Sequence, residues 1–196
     1  MFKKGLSELE YLIKETKRKE KIKKEVINYK WILIIIILAF SISFSMSFVS
    51  EMTIPHLSII LGAIVTLLFI MFGILFDIIG VSVTTADEAV FHSMNSRKVK
   101  GASVAVKFKK SADKVSTFCC DVIGDICGIV SGAAGTTIAA QLISKYGFNP
   151  LFTSLTVAAI IASLTIGGKA MGKSFAINKS DIILYEFAKF VSNFYK

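Results

Sequence analysis

The chain has 196 residues, of which 54% are apolar and 19% charged, and its mean hydropathy is +0.66. Two prolines and 13 glycines exclude collagen-like and low-complexity chains, and so apolar a composition excludes disorder. Lys and Arg outnumber Asp and Glu by 23 to 14, a net charge of +9, beside apolar runs too long for a small globular core; the composition is that of a membrane protein.

The first segment, 1–30, holds ten basic residues and reads as an amphipathic helix. Ser7 and Glu10 fit a capping box, and Leu6, Leu9, Leu12 and Ile13 recur at helical spacing. Its lysines from Lys14 to Lys24 suit either a solvated face that fixes topology or the headgroups of anionic lipids. No nucleic-acid motif accompanies them.

A bilayer core of roughly 30 Å needs about 20 apolar residues at about 1.5 Å per residue. The stretches 31–50, 52–76 and 146–168 satisfy this without a charge, and 115–144 does so with only Asp121 and Asp125 inside it. The first stretch is expected to be a retained span: thirty residues precede it and no small-residue cleavage site closes it. Pro55 and His56 fall in a short hairpin between the first two spans. Beyond Phe76, a persisting helix would bring Asp77, Thr84, Thr85 and Glu88 near one face, either as a polar lining or as residues entering the headgroup layer. A last amphipathic helix, about 180–195, shows Ile183, Phe187, Phe190, Val191 and Phe194 on one face and suits a belt at the membrane surface.

Charge orders the spans. Ten basic residues before the first span, seven in 77–114 and five from Lys169 onward lie on one side, whereas the two opposite turns carry only Lys145. The positive-inside rule therefore predicts a multi-pass protein of the plasma membrane with both ends cytoplasmic. The expected fold class is an all-α integral membrane protein with four transmembrane helices and amphipathic interfacial helices.

Asp121 and Asp125 are the informative polar residues, because a carboxylate at membrane depth costs about 2.5 to 3.5 kcal/mol on insertion scales. At i, i+4 they share a helical face, which suits a hard cation or a paired lysine. Protonated carboxyls bonded to backbone, or a span beginning further along, stay open as alternatives. Beside them Cys120, Gly124, Gly128 and Gly132 form a ridge of small residues whose expected role is close helix packing. Cys119, Cys120 and Cys127 fall in one apolar run, have neither zinc nor disulfide spacing, and read as packing residues.

Three motifs in order resemble the transmembrane domain of the cyclin-M/CorC (CorB) magnesium transporters. The run Thr85, Ala86, Asp87, Glu88 through Ser93 and Asn95 resembles that family's S-A-x-E-x-A-L-x-S-x-N. Val115, Ser116 and Thr117 followed by Asp121, Gly124 and Asp125 are similar to its L-S-T and G-N-x-x-x-N, with Asp for both Asn and one residue fewer. Gly168, Lys169, Lys173 and Ala176 match its G-E-I-x-P-K-x-x-A, with Lys169 at the glutamate and Gly172 at the proline. On this resemblance 57–196 is the family-like domain, with spans at about 57–80, 115–142 and 149–168, and 31–50 is an added helix.

The resemblance implies a homodimer that binds magnesium near the membrane centre, with Thr85, Asp121 and Asp125 as metal ligands and Asp77, Glu88, Lys169, Gly124 and Gly128 around them. It also implies divalent-cation transport or homeostasis, magnesium first and cobalt second. The nucleotide-sensing CBS pair of the family has no counterpart in this sequence, so a separate cytoplasmic regulatory protein is an expected partner besides the lipid bilayer. The exchange of signs suggests an alternative: two Asn have become Asp and one Glu has become Lys, so the Lys169 ammonium can stand where the cation would. The chain is then a transport-inactive regulatory or assembly subunit.

An enzyme is not expected. Asp77 with Asp125 has the look of an intramembrane aspartyl pair, but Val122, Ile123, Gly124 and Asp125 stand where that class has G-x-G-D, and neither a hydrolase set nor a phosphate loop is present.

Overall fold

The computed structural model describes residues 29–194; the expectations for 1–28, including the capping box and the lysine run, lie outside the described residues. The chain divides into Met1–Ile34, of which the described part is the start of a helix, and Ile35–Lys196. All regular structure among the described residues is helical, and four helices are long and apolar enough to cross a membrane. The molecule is an all-α membrane protein.

Helix α1, Tyr29–Thr53, is followed by a single tight turn, Ile54–His56, with Pro55 in its first positions, where a missing N–H costs nothing. The second span begins only at Ile59. Ser58 adopts an extended conformation and its Oγ accepts from the Leu61 amide at 3.4 Å, so residues 54–58 form the hairpin and α2 is Ile59–Thr85. It then runs nine residues past Phe76, through Thr84 and Thr85.

The basic connection is itself folded. Asp87 caps α3 (Glu88–Ser96) by accepting from the Ala89 amide, and Gly101, in a left-handed conformation (φ 87°), starts α4 (Ala102–Lys110). The third span, α5 (Ala112–Tyr146), is regular α-helix from Asp125 onward but π-helical over Thr117–Gly124. It stops at Gly147, whose φ of 66° ends the helix without a Cβ clash. Asn149 Oδ1 accepts from the amides of Leu151 and Phe152 and opens α6, Pro150–Asn178. The last helix, α7, is Ser180–Phe194.

Helices α2, α5 and α6 pack against one another at glycines, as expected where lipid removes the hydrophobic drive and close approach must supply dispersion. A Cβ on Gly73 would sit 2.9 Å from Cys127 Cβ, and one on Gly168 would collide with Ile74. Residues 35–46 of α1 lay Ile35, Leu38, Ile42 and Met46 over Val122, Ile126 and Val130 of α5. At the hairpin end the Gln141 side-chain amide donates to the carbonyls of Pro55 and Leu57 at 3.1 and 3.3 Å, pinning the turn.

A second core lies at the basic end. Val83 and Ala86, Phe91 of α3, Ala105 and Val106 of α4, and Leu184 and Ala188 of α7 are all buried together. Lys109 Nζ ties this cap to α2 by donating to the carbonyls of Thr84 and Val83 at 2.7 and 3.2 Å, the favourable place for a cation on a helix C-terminus. The buried face of α7 is therefore centred on Leu184 and Ala188, whereas Phe190 points outward at 61% exposure. Of the apolar face expected at the membrane surface, Ile183, Phe187 and Val191 are half-buried and Phe190 is exposed, beside the protein-facing side of Leu184 and Ala188.

Candidate polar site at the basic end of the spans

Three charged side chains from three spans converge. Lys169 of α6 places Nζ 3.1 Å from Asp125 Oδ1 of α5 and 3.3 Å from Asp77 Oδ2 of α2. The exposures are 15% for Asp77, 26% for Lys169 and 65% for Asp125, so the ammonium and Asp77 face inward and Asp125 closes the group from outside. Asp77 Oδ1, the other oxygen, is buried without a hydrogen-bond partner and lies against the bare Cα of Gly124, where a Cβ would come within 2.5 Å. Any residue larger than glycine at 124 would displace Asp77.

The π-helical stretch sets this arrangement. A π turn holds an extra residue and shifts everything after it by about 100° relative to an α-helical continuation. Against α2, Gly80 leaves room for Cys120, whose thiol donates to the Asp77 carbonyl at 3.7 Å. Cys119 and Cys127 are buried and all three thiols are free, in packing positions.

The remaining sequence candidates are elsewhere. The Thr84 and Thr85 hydroxyls both donate to the Val81 carbonyl of their own helix. Helix α2 ends at Thr85, Ala86 is extended and Glu88 belongs to α3, where it bonds His92 at 3.1 Å; the continuous polar lining from Asp77 to Glu88 is thereby broken. Asp121 is exposed and has no ion pair among the described residues. Gly124 packs on Asp77, but a Cβ on Gly128 or Gly132 would meet nothing within 4 Å, so the outer half of the small-residue ridge is open rather than packed.

Comparison with protein-family models, with curated proteins and with solved structures gives no match. The resemblance to the CorC-like transmembrane domain therefore rests on the motifs alone.

Depth follows from helix rise. Asp77, Asp125 and Lys169 lie 18, 21 and 19 residues from Ile59, Tyr146 and Pro150, the hairpin-end termini of α2, α5 and α6. That is about 27 to 32 Å at 1.5 Å per residue. For a hydrocarbon core of about 30 Å, the three charges sit at its basic-side edge.

In this arrangement the two carboxylates are engaged by the lysine. Magnesium asks for about six oxygens at about 2.1 Å, whereas one oxygen each of Asp77 and Asp125 already accepts from Nζ. No group of three or more His, Cys, Asp or Glu side chains placed to hold a metal occurs among the described residues.

Proposed function

We propose that this protein is a transport-inactive membrane subunit, regulatory or architectural, similar to a CorC-like transmembrane domain in which the chain's own ammonium takes the place of a cation. The observation that carries the reading is the position of Lys169 Nζ within 3.3 Å of carboxylates from two other spans. A lysine so placed hydrogen-bonds to both carboxylates and compensates one of their two charges, and leaving the enclosed Asp77 without it is costly. The resemblance supports it further, since Lys169 stands at the position of the family's acidic residue. The cation-transport reading needs that ammonium to leave two carboxylates that it now contacts together.

The test is cation flux. Full-length protein reconstituted in liposomes with an entrapped magnesium-sensitive dye is expected to pass magnesium and cobalt no faster than protein-free liposomes. Flux above that background would overturn the proposal. Direct binding gives a second readout: Lys169→Glu, which restores an acid, is expected to take up magnesium in equilibrium dialysis while the wild-type chain takes up none.

A further inference from the structure

Between α5 and α6 an open groove of about 260 Å³ faces sideways out of the bundle, its wall carrying Gly128, Gly132, Ala158, Ala162 and Thr165 beside two isoleucines. Gly128 and Gly132 lie 18 and 14 residues from Tyr146, and Ala158 and Thr165 lie 8 and 15 residues from Pro150. At about 1.5 Å per residue the groove runs from about 12 to about 27 Å below the hairpin end. In a hydrocarbon core of about 30 Å, that is the basic-side half up to its middle. The Thr165 hydroxyl donates to the Ile161 carbonyl of its own helix at 2.8 Å, so the one hydroxyl in the wall is already satisfied. An acyl chain laid along so smooth a wall gains dispersion contacts over its length.

The groove leads to two charges of opposite sign. On α6, Thr165, Lys169 and Lys173 continue the stripe of Ala158 and Ala162, all within about 80° of one another at about 100° per residue. On α5, Gly132 and Gly128 lead to Asp125 and then to Asp121, both exposed. Asp125 closes on Lys169 at 3.1 Å. One turn further on, Asp121 and Lys173 carry the same two charges, are both exposed and make no ion pair among the described residues. They lie 25 and 23 residues from Tyr146 and Pro150. Both are thus about 35 Å down at about 1.5 Å per residue, past the hydrocarbon and level with lipid headgroups.

We infer that this face holds a phosphatidylethanolamine molecule of the basic-side leaflet, with one acyl chain in the groove, its phosphate on Lys173 and its primary ammonium on Asp121. Each half of the headgroup answers one of the two charges. A phosphate oxygen accepts a charge-assisted hydrogen bond from the Lys173 ammonium, and the ethanolamine ammonium donates one to the Asp121 carboxylate. The same pair disfavours two other common headgroups. A glycerol headgroup brings no cation to Asp121, and choline brings a cation with no N–H to donate. Both bonds form at the hydrocarbon edge, where screening is weaker than in bulk water. The inference does not depend on whether cations cross the membrane.

The experiment is native mass spectrometry of the full-length chain from detergent micelles that hold equal amounts of phosphatidylethanolamine, phosphatidylcholine and phosphatidylglycerol with identical acyl chains. The wild-type chain is expected to retain phosphatidylethanolamine in at least about fivefold preference to either of the others. Asp121→Asn is expected to bring that preference to within about twofold, and Asp121→Lys to turn it toward phosphatidylglycerol. Lys173→Gln removes the partner of a phosphate common to all three lipids, and Gly132→Leu fills the groove; each is expected to lower retention of all three alike. Glycerophosphoethanolamine, the headgroup without its chains, is expected not to compete. Thermal unfolding of every variant in lipid-free detergent is expected to match the wild type, because Asp121 and Lys173 hold no ion pair among the described residues and a Cβ on Gly132 meets nothing within 4 Å. Any of five results would overturn the inference: equal retention of the three lipids by the wild type, a preference that survives Asp121→Asn, retention indifferent to Gly132→Leu, displacement by the chainless headgroup, or a complex with a second polypeptide and no retained lipid.

Discussion

Lys169 carries unequal obligations to its two partners. Asp77 is mostly enclosed, and its second oxygen has no bonding partner, so removing the ammonium leaves an inward carboxylate uncompensated. Asp125 is 65% exposed and can be hydrated when its pairing is lost. Lys169→Ala is therefore expected to destabilise the fold by about 1 to 3 kcal/mol, and Asp125→Asn by less than about 1 kcal/mol. Thermal unfolding of both variants in the same detergent checks the order, and equal losses would count against the asymmetry.

What could be read from residues alone was partial at this site. That an intramembrane lysine would seek a carboxylate of 115–144 follows from charge, and Asp125 is one of the two carboxylates so named. Asp121 is the other, and it points away. Spacing treats that stretch as continuous α-helix, whereas the π turns insert a phase shift invisible in a period of 3.6. Asp77 was legible as the first polar residue beyond the apolar run that ends at Phe76, but its pairing with Lys169 requires knowing which faces of α2 and α6 meet. That is decided by glycines whose neighbours no spacing reveals: Gly168 against Ile74 and Gly172 against Ile78.

At the scale of elements, the spans were legible because twenty apolar residues have few alternatives; their ends moved where a cap intervened, as at Ser58, and where a helix outran its apolar run, as α2 does to Thr85 and α6 to Asn178. The basic-end cap was not legible. Helices α3 and α4 have only nine residues each, and their stability comes from Phe91, Ala105 and Val106 meeting Leu184 and Ala188 far along the chain. Two variants probe this cap. Gly101→Ala puts a Cβ within 2.9 Å of the Lys189 Cα and forces an L-residue into a left-handed conformation, at a cost of roughly 1 to 2 kcal/mol from the dihedral alone. Lys109→Ala leaves the last carbonyls of α2 without their donor, at about 0.3 to 1 kcal/mol. Hydrogen exchange is expected to rise first across α3, α4 and α7 in both variants while the spans stay protected; uniform loss would mean that the cap and the spans unfold together.

For the whole molecule, the distribution of charge predicts sidedness. A membrane-impermeant thiol reagent applied to intact cells is expected to label His56→Cys in the hairpin, and to label Lys98→Cys only after permeabilisation. The native cysteines, buried or half-buried within the spans, set the background. The reverse pattern would invert the topology, and labelling of both positions from outside would contradict four crossings.

A counter-ion bonded to its own backbone has no concentration. It cannot be diluted, chelated or exchanged for a heavier congener, and an electrochemical gradient can tug at Lys169 without ever carrying it through. Under the proposed reading, the positive charge among the three spans is supplied at synthesis and not taken from the medium, and the fold is expected to be indifferent to starvation or excess of any metal.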